Sequence, residues 1–251
     1  MQILLANAKI MNTEAPHQPW SEPRFAHEAR EIAAEMAQID IPTLQRMLKC
    51  SAPIAAENWH RFRDFAVADA MPALFAYNGH AYKHLQAATL SPEDLHFAQA
   101  HLWITCFLYG LLRPMDAIVP YRMEHTVALE LSDDLPIHRF WKSRLTDLLI
   151  QSVKADDGIL LHLSTAEYEQ LFDWRRVCRE LTVVQPQFLV RNRNGELKTQ
   201  AVWAKACRGA MTKFAITRRI SQVEELATFT HEGFVCLPSD AAPHRPVFVK
   251  E

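Results

Sequence analysis

The sequence holds few of the features that announce a chemistry. Its six glycines are scattered so that no two share a loop, which excludes a glycine-rich phosphate loop and a dinucleotide fingerprint. Its five cysteines, Cys50, Cys106, Cys178, Cys207 and Cys236, are odd in number and show no C-x-x-C spacing. Neither a disulfide framework nor a zinc ribbon is expected, and the thiols read as reduced. A G-x-S-x-G elbow is also missing. Neither sign of charge dominates: Lys and Arg total 27 against 29 Asp and Glu, a net charge of -2. No global field therefore attracts nucleic acid or an anionic membrane, and a polyanion site has to be a local patch. No apolar run approaches the roughly 20 residues of a membrane span, and the one in MQILLANAKI is too short for a signal peptide. A cytoplasmic chain with no membrane partner is expected.

What is present is enough apolar content, 49%, to bury a sizeable core in 251 residues. Strands are expected at 3–6, 73–77, 158–163, 181–190, 197–202, 233–237 and 247–250. Asn194-Gly195 suits a tight hairpin turn. Helices are expected at 26–39, from Pro42, at 51–65, 92–109, 136–153, 165–172 and 203–219, and a short one after Ser221. Ser91-Pro92-Glu93-Asp94 has the composition of a capping box with proline in the first turn. Strands and helices mix without strict alternation and no linker or repeat divides them. One α+β domain over 1–251, around a mixed sheet with surrounding helices, is the expected architecture.

The stretch FLYGLLRPMDAIVPYRME, 107–124, asks for more than packing, because it sets two arginines and two tyrosines beside an apolar run. Gly110 reads as a helix terminus and Pro114 as its stop. A glycine-containing apolar turn between helices also presents backbone N–H groups to a DNA phosphate in helix-hairpin-helix modules, with Arg113 adding charge. An ordinary helix end is the alternative.

LYGLLRP followed by D-x-I-x-P-Y-R-x-E, residues 108–124, resembles the YaaA family of bacterial peroxide-stress proteins. The resemblance continues through ILL-x-x-AK (3–9), PRF (23–25), ALFAYNGHAY (73–82), the segment 163–168 and AK-x-x-RG-x-M (204–211). It implies a compact α+β fold peculiar to that family, a positively charged cleft, a helix-hairpin-helix element, binding to duplex or branched DNA, and protection against hydrogen peroxide. It implies no settled enzymatic activity and no cofactor. The chain departs from the family's usual residues at Ala6-Asn7, where Ser-Pro is usual, at His80, where an acid is usual, and at the bulky Cys106 and Phe107. These departures bear on any chemistry that uses a hydroxyl at position 6 or an acid at position 80. Lys9, Arg113, Arg122, Lys205 and Arg208 are kept.

On a helix from Trp203, the 100° step puts Lys205, Arg208, Thr212 and Arg219 along one side and Cys207, Ala210, Met211 and Phe214 along the other. Gly209 beside the basic stripe would let a phosphate or another backbone approach. A solvated cationic face is the plain alternative. Glu167, after a strand end, is an acid–base candidate with Lys9, or a structural ion-pair partner. His80 and His84 have the four-residue spacing of two metal ligands on one helical face, but no third ligand is evident, and no metal is expected. Arg175, Arg176, Arg179, Arg191, Arg193 and Lys198 read as solvated surface.

Two functions of different class follow. One is a DNA binder of the peroxide-stress response, without sequence preference, using Lys9, Gly110, Arg113, Arg122, Lys205, Arg208 and Gly209 against phosphates. The other is an enzyme acting on a nucleotide, a base or a small anionic metabolite in the same cleft.

Overall fold

The computed structural model describes residues 1–237 and 244–251. The chain begins with β1 (Gln2–Ala6), α1 (Ala26–Met36), α2 (Ile41–Met47), α3 (Ala52–Arg63), β2 (Met71–Pro72), α4 (Ala73–Ala76) and α5 (His80–Leu85). It continues with α6 (Pro92–His101), β3 (Leu102–Cys106), β4 (Gly110–Leu112), β5 (Ala117–Ile118), α7 (Ile137–Lys154), β6 (Ile159–Leu163), α8 (Ala166–Glu169) and α9 (Trp174–Glu180). Then follow β7 (Thr182–Val184), β8 (Gln187–Arg191), β9 (Leu197–Lys198), α10 (Ala201–Arg218), β10 (Val235–Cys236) and β11 (Val247–Lys250). The fold is α+β.

The central sheet has the order β4-β3-β1-β6-β7. β1 is parallel to both its neighbours, Ile3 standing opposite Leu102 on β3 and Leu161 on β6. A parallel strand covered on both faces favours a continuous apolar run over alternation, and Ile3, Leu4 and Leu5 are all buried. A second sheet, β10-β11-β8-β9, contains the hairpin at Gly195, whose φ of 82° suits a glycine. α10 packs against α5 and reaches both sheets. The capping box forms: the Ser91 hydroxyl accepts from the Asp94 N–H, and the Asp94 carboxylate accepts from the Ser91 N–H.

The helix expected over 92–109 ends at His101, and the chain runs on as a β-hairpin, Cys106 pairing with Gly110. Residues 102–112 are all buried, so their sequence is apolar but for Thr105 and carries neither period. Gly110 is therefore not a helix terminus. At φ 68° it opens β4, and a Cβ there would stand 2.8 Å from the Trp141 ring. The Trp141 indole N–H donates to the Phe107 carbonyl at 2.8 Å, holding the turn against α7. No helix-hairpin-helix lies in this stretch. Two helices joined by a tight turn do occur at α2–α3, where Lys49 takes φ 48°. Residues 73–77, expected as a strand, hold the short helix α4, while the preceding β2 pairs with β5.

Candidate anion-binding cleft

A cavity of about 380 Å³ opens at the carboxyl ends of β1 and β6, and Lys9, His80, Glu167, Tyr168, Lys205 and Arg208 contribute to its wall. The chain leaves β1 to form β3 on one side and returns as β6 on the other. In open sheets with parallel strands, ligands bind where the strand order reverses in this way. The loop after β1 supplies Lys9, the start of α8 supplies Glu167, and α5 and α10 supply the opposite wall.

Gly209 sets that wall. A Cβ built on it would lie 1.8 Å from the Ala81 carbonyl oxygen, so α10 crosses α5 backbone to backbone at this point. Gly209 is buried in the helix crossing, and of the two partners its place on the stripe allowed, a phosphate or another backbone, it admits the backbone. Its neighbours on the stripe divide. Lys205 is exposed and Arg208 half-buried, and neither has a carboxylate partner among the described residues. Burial holds the Arg208 guanidinium below its ordinary pKa. Thr212 is buried and donates to the Arg208 carbonyl at 2.8 Å. Arg219 pairs with Asp94 at 2.7 Å over the Phe97 ring. The basic stripe thus reduces to two cations, both facing the cavity.

On the opposite rim, Lys9 Nζ donates to Glu124 Oε2 at 2.7 Å and Arg122 to Glu124 Oε1 at 3.0 Å. Glu124 is buried, with both oxygens taken by cations. Arg122 also donates to the Leu48 carbonyl at 3.4 Å, tying the α2–α3 turn to the cleft. Beside this pair, His125 Nδ1 is 3.0 Å from Glu167 Oε1. Ligand atoms of Glu124, His125 and Glu167 lie within 4.8 Å of one another. A divalent ion among them would have to displace Lys9, so the donor set fits an ion-pair network better than a metal centre. Sequence reasoning offered Glu124 only as an acid that would pair with Arg122 were that arginine structural, and it did not single out His125. The signal for Glu124 was the presence of Lys9 and Arg122, two cations in need of a counter-charge.

A family model described as "Peroxide stress protein YaaA" matches residues 1–239. The chain belongs to the YaaA family. Relatives named only "UPF0246 protein" accompany it along nearly their whole lengths. One from Phocaeicola vulgatus is 42% identical over 238 residues, 93% of each chain. One from Bacteroides thetaiotaomicron is 40% identical over 253 residues, 99% of this chain and 98% of the relative. One from Shewanella amazonensis is 31% identical over 258 residues, all of this chain and 99% of the relative. No helix among the described residues is long and apolar enough to cross a membrane.

In this YaaA family member Tyr82 and Tyr168 line the cleft, and Tyr77 and Tyr121 are buried outside its lining. Asn7 donates to the Tyr121 hydroxyl at 3.2 Å and accepts from that of Tyr168. Tyr121 shares a 2.8 Å hydrogen bond with Tyr77, and Tyr82 donates to the Ala6 carbonyl at 3.1 Å. Burial pushes all four phenols up, so they stay protonated donors. Asn7, one of the departures from the usual pattern, is thereby locked in place rather than left free.

Arg113 lies elsewhere. Its guanidinium stacks 3.3 Å over Trp103 and donates to the Leu102 carbonyl and the Gln2 amide oxygen, at the amino end of β1. Burial lowers its pKa to about 10. The neighbouring Asp116 accepts from the Arg113 backbone N–H at 2.8 Å and from the Ser21 hydroxyl at 2.6 Å. Arg113 and Arg122 therefore do not share one edge. Arg113→Ala is expected to destabilise the protein by about 1–3 kcal/mol through loss of this stacking and bonding, and so to lower the Tm. Ligand affinity of the folded variant should be unchanged, as paired melting and binding curves would show.

His80 and His84 stack edge-to-face, ring centroids 5.0 Å apart, and His84 Nδ1 lies 3.0 Å from His231 Nε2. The third imidazole was missed because 147 residues separate it from His84. The other basic positions are largely paired: Arg176 with Asp147 and Glu180, Arg191 with Glu251, Lys198 with Glu196.

Proposed function

We propose that this peroxide-stress protein binds DNA without sequence preference, the cleft taking one phosphate-bearing unit and the α2–α3 turn tracking the neighbouring backbone. The observation that carries this is the convergence of Lys9, Lys205 and Arg208 on one cavity, with two of the three lacking any carboxylate partner among the described residues. A half-buried guanidinium without a counter-charge is costly in the free protein and is satisfied by an incoming anion.

The α2–α3 turn adds a second contact. Ser51 begins α3 without a side-chain cap, and residues 51–54 are exposed, so the Ala52 and Ile54 N–H groups at the start of a 12-residue helix are open to a phosphate, Pro53 between them having none. Arg46 and Lys49 are exposed beside them. The hydrogen bonds running from Leu48 through Arg122 and Glu124 to Lys9 place this turn next to the cleft.

A second reading has its own support. A cavity of about 380 Å³ is too small for a duplex and suits a single nucleotide or another small anionic metabolite. With His125–Glu167 on its rim it has a group able to exchange protons with such a ligand. Labelled duplex and junction DNA, titrated at two salt concentrations with a nucleoside monophosphate as competitor, separate the readings. DNA binding that falls steeply with salt, by about 0.9 in log–log slope per phosphate contact, supports the first. Undetectable DNA binding at low salt together with saturable nucleotide binding replaces it with the second.

A further inference from the structure

Three imidazoles from two distant segments meet at α5. His84 Nδ1 and His231 Nε2 are 3.0 Å apart, with their rings nearly perpendicular at 87°. His80, one helical turn before His84, stands edge-to-face with it at a centroid distance of 5.0 Å. His84 and His231 line a cavity of about 260 Å³ on the outer side of α10, whereas His80 lines the main cleft. We propose that His84 and His231, with His80 as the third donor, bind one divalent transition ion of the zinc, nickel or copper class.

The spacing favours it. Two imidazole nitrogens held by one ion at about 2.0–2.1 Å stand roughly 2.9–3.4 Å apart for bond angles between square and tetrahedral. His84 and His231 stand at such a separation because they share a hydrogen bond, and a turn of the two rings, without backbone movement, would aim both lone pairs at one ion. The four-residue step on α5 sets His80 beside His84; the ligand atoms of the three rings do not yet all lie within 4.8 Å of one another, and a side-chain rotation of His80 would complete the set.

The surroundings select the ion. Lys83, Lys205 and Lys250 oppose added positive charge here, and Glu232 offsets them in part. Hard ions that need several oxygen ligands, such as magnesium and calcium, find no carboxylate cage here among the described residues. Ions that prefer neutral imidazole are the ones this donor set accepts. The site stands independently of the DNA reading. Because His80 also lines the cleft, a bound ion would add positive charge beside Lys205 and Arg208 and strengthen their hold on an anion.

The full-length chain, freed of metal with a chelator, is titrated with Zn2+ by calorimetry and with Co2+ by absorbance. One ion per chain is expected, with the cobalt bands of a low-coordinate nitrogen site. His84→Gln and His231→Gln should each weaken binding by about tenfold or more, since even the loss of a group that merely orients a ligand has that effect. His80→Gln should weaken it less, and His125→Gln should leave it unchanged. In the unsubstituted protein, trace Cu2+ should broaden the ring C–H resonances of His84 and His231 before those of His125 and His138, a readout that does not depend on any variant folding. Absence of saturable binding, retained affinity in His84→Gln, or an ion lost only with His125→Gln would each overturn the proposal, the last by moving the ion to Glu124, His125 and Glu167.

Discussion

Gly209→Ala is expected to destabilise the protein by about 3 kcal/mol, lowering its Tm by roughly 6–12 °C. Two effects of opposite sign compete. In a helix interior, alanine is better than glycine by about 1 kcal/mol, so on local propensity alone the substitution stabilises. Against this, the new Cβ would lie 1.8 Å from the Ala81 carbonyl oxygen, 2.6 Å from its carbon and 2.9 Å from its Cα. These are backbone atoms and cannot swing aside, so one helix has to move relative to the other. The clash wins. Because α5 also carries Tyr82, which donates to the Ala6 carbonyl, the displacement should reach the cleft as well. Circular dichroism melting of the variant provides the measurement. A Tm equal to or above that of the parent would show that the crossing is loose and return Gly209 to the role of leaving room for a ligand.

The parts of this fold that were legible in the sequence are those fixed by neighbours in the chain. The runs at Ile3–Leu5 and Leu160–Leu163 became buried parallel strands, Asn194-Gly195 became a hairpin turn, and Ser91 with Asp94 closed a capping box. The segment 102–112 was not legible as a hairpin, because with every residue buried it has no polar face to mark a period. α10 misled for a related reason. Its basic positions pointed to an open face, but the middle of that face is sealed by α5, leaving Lys205 and Arg208 as cleft cations and Thr212 in the core. Of the cleft, single residues were legible and pairings were not. Lys9 and Glu124 are 115 residues apart, and His84 and His231 are 147 apart. No local pattern encodes such pairings; only the sheet order brings them together.

Arg208→Met should separate function from stability in the opposite sense to Arg113→Ala. Arg208 projects from α10 into the cleft, half-buried, with its guanidinium held below its ordinary pKa by burial and no acid among the described residues to compensate. Removing a charge from such a place relieves desolvation, and methionine can keep the packing of the aliphatic stem. The variant should therefore be as stable as the parent or more so, by up to about 2 kcal/mol. Anion binding should fall by about tenfold to a hundredfold, the worth of one to two charge-assisted hydrogen bonds, and on duplex DNA the salt slope should drop by about 0.9 for one phosphate no longer neutralised. Arg208→Lys would restore the charge without the planar fork and should recover only part of the affinity. The two arginines thus carry opposite signatures. Arg113, stacked on Trp103 with its donors used within the protein, holds the fold together, and its loss should lower the Tm and spare the site. Arg208, whose guanidinium has no carboxylate partner among the described residues, should do the reverse. A fall in Tm for Arg208→Met with unchanged affinity would mean that its charge is satisfied within the protein, and the cleft would then lose its strongest claim to an anion.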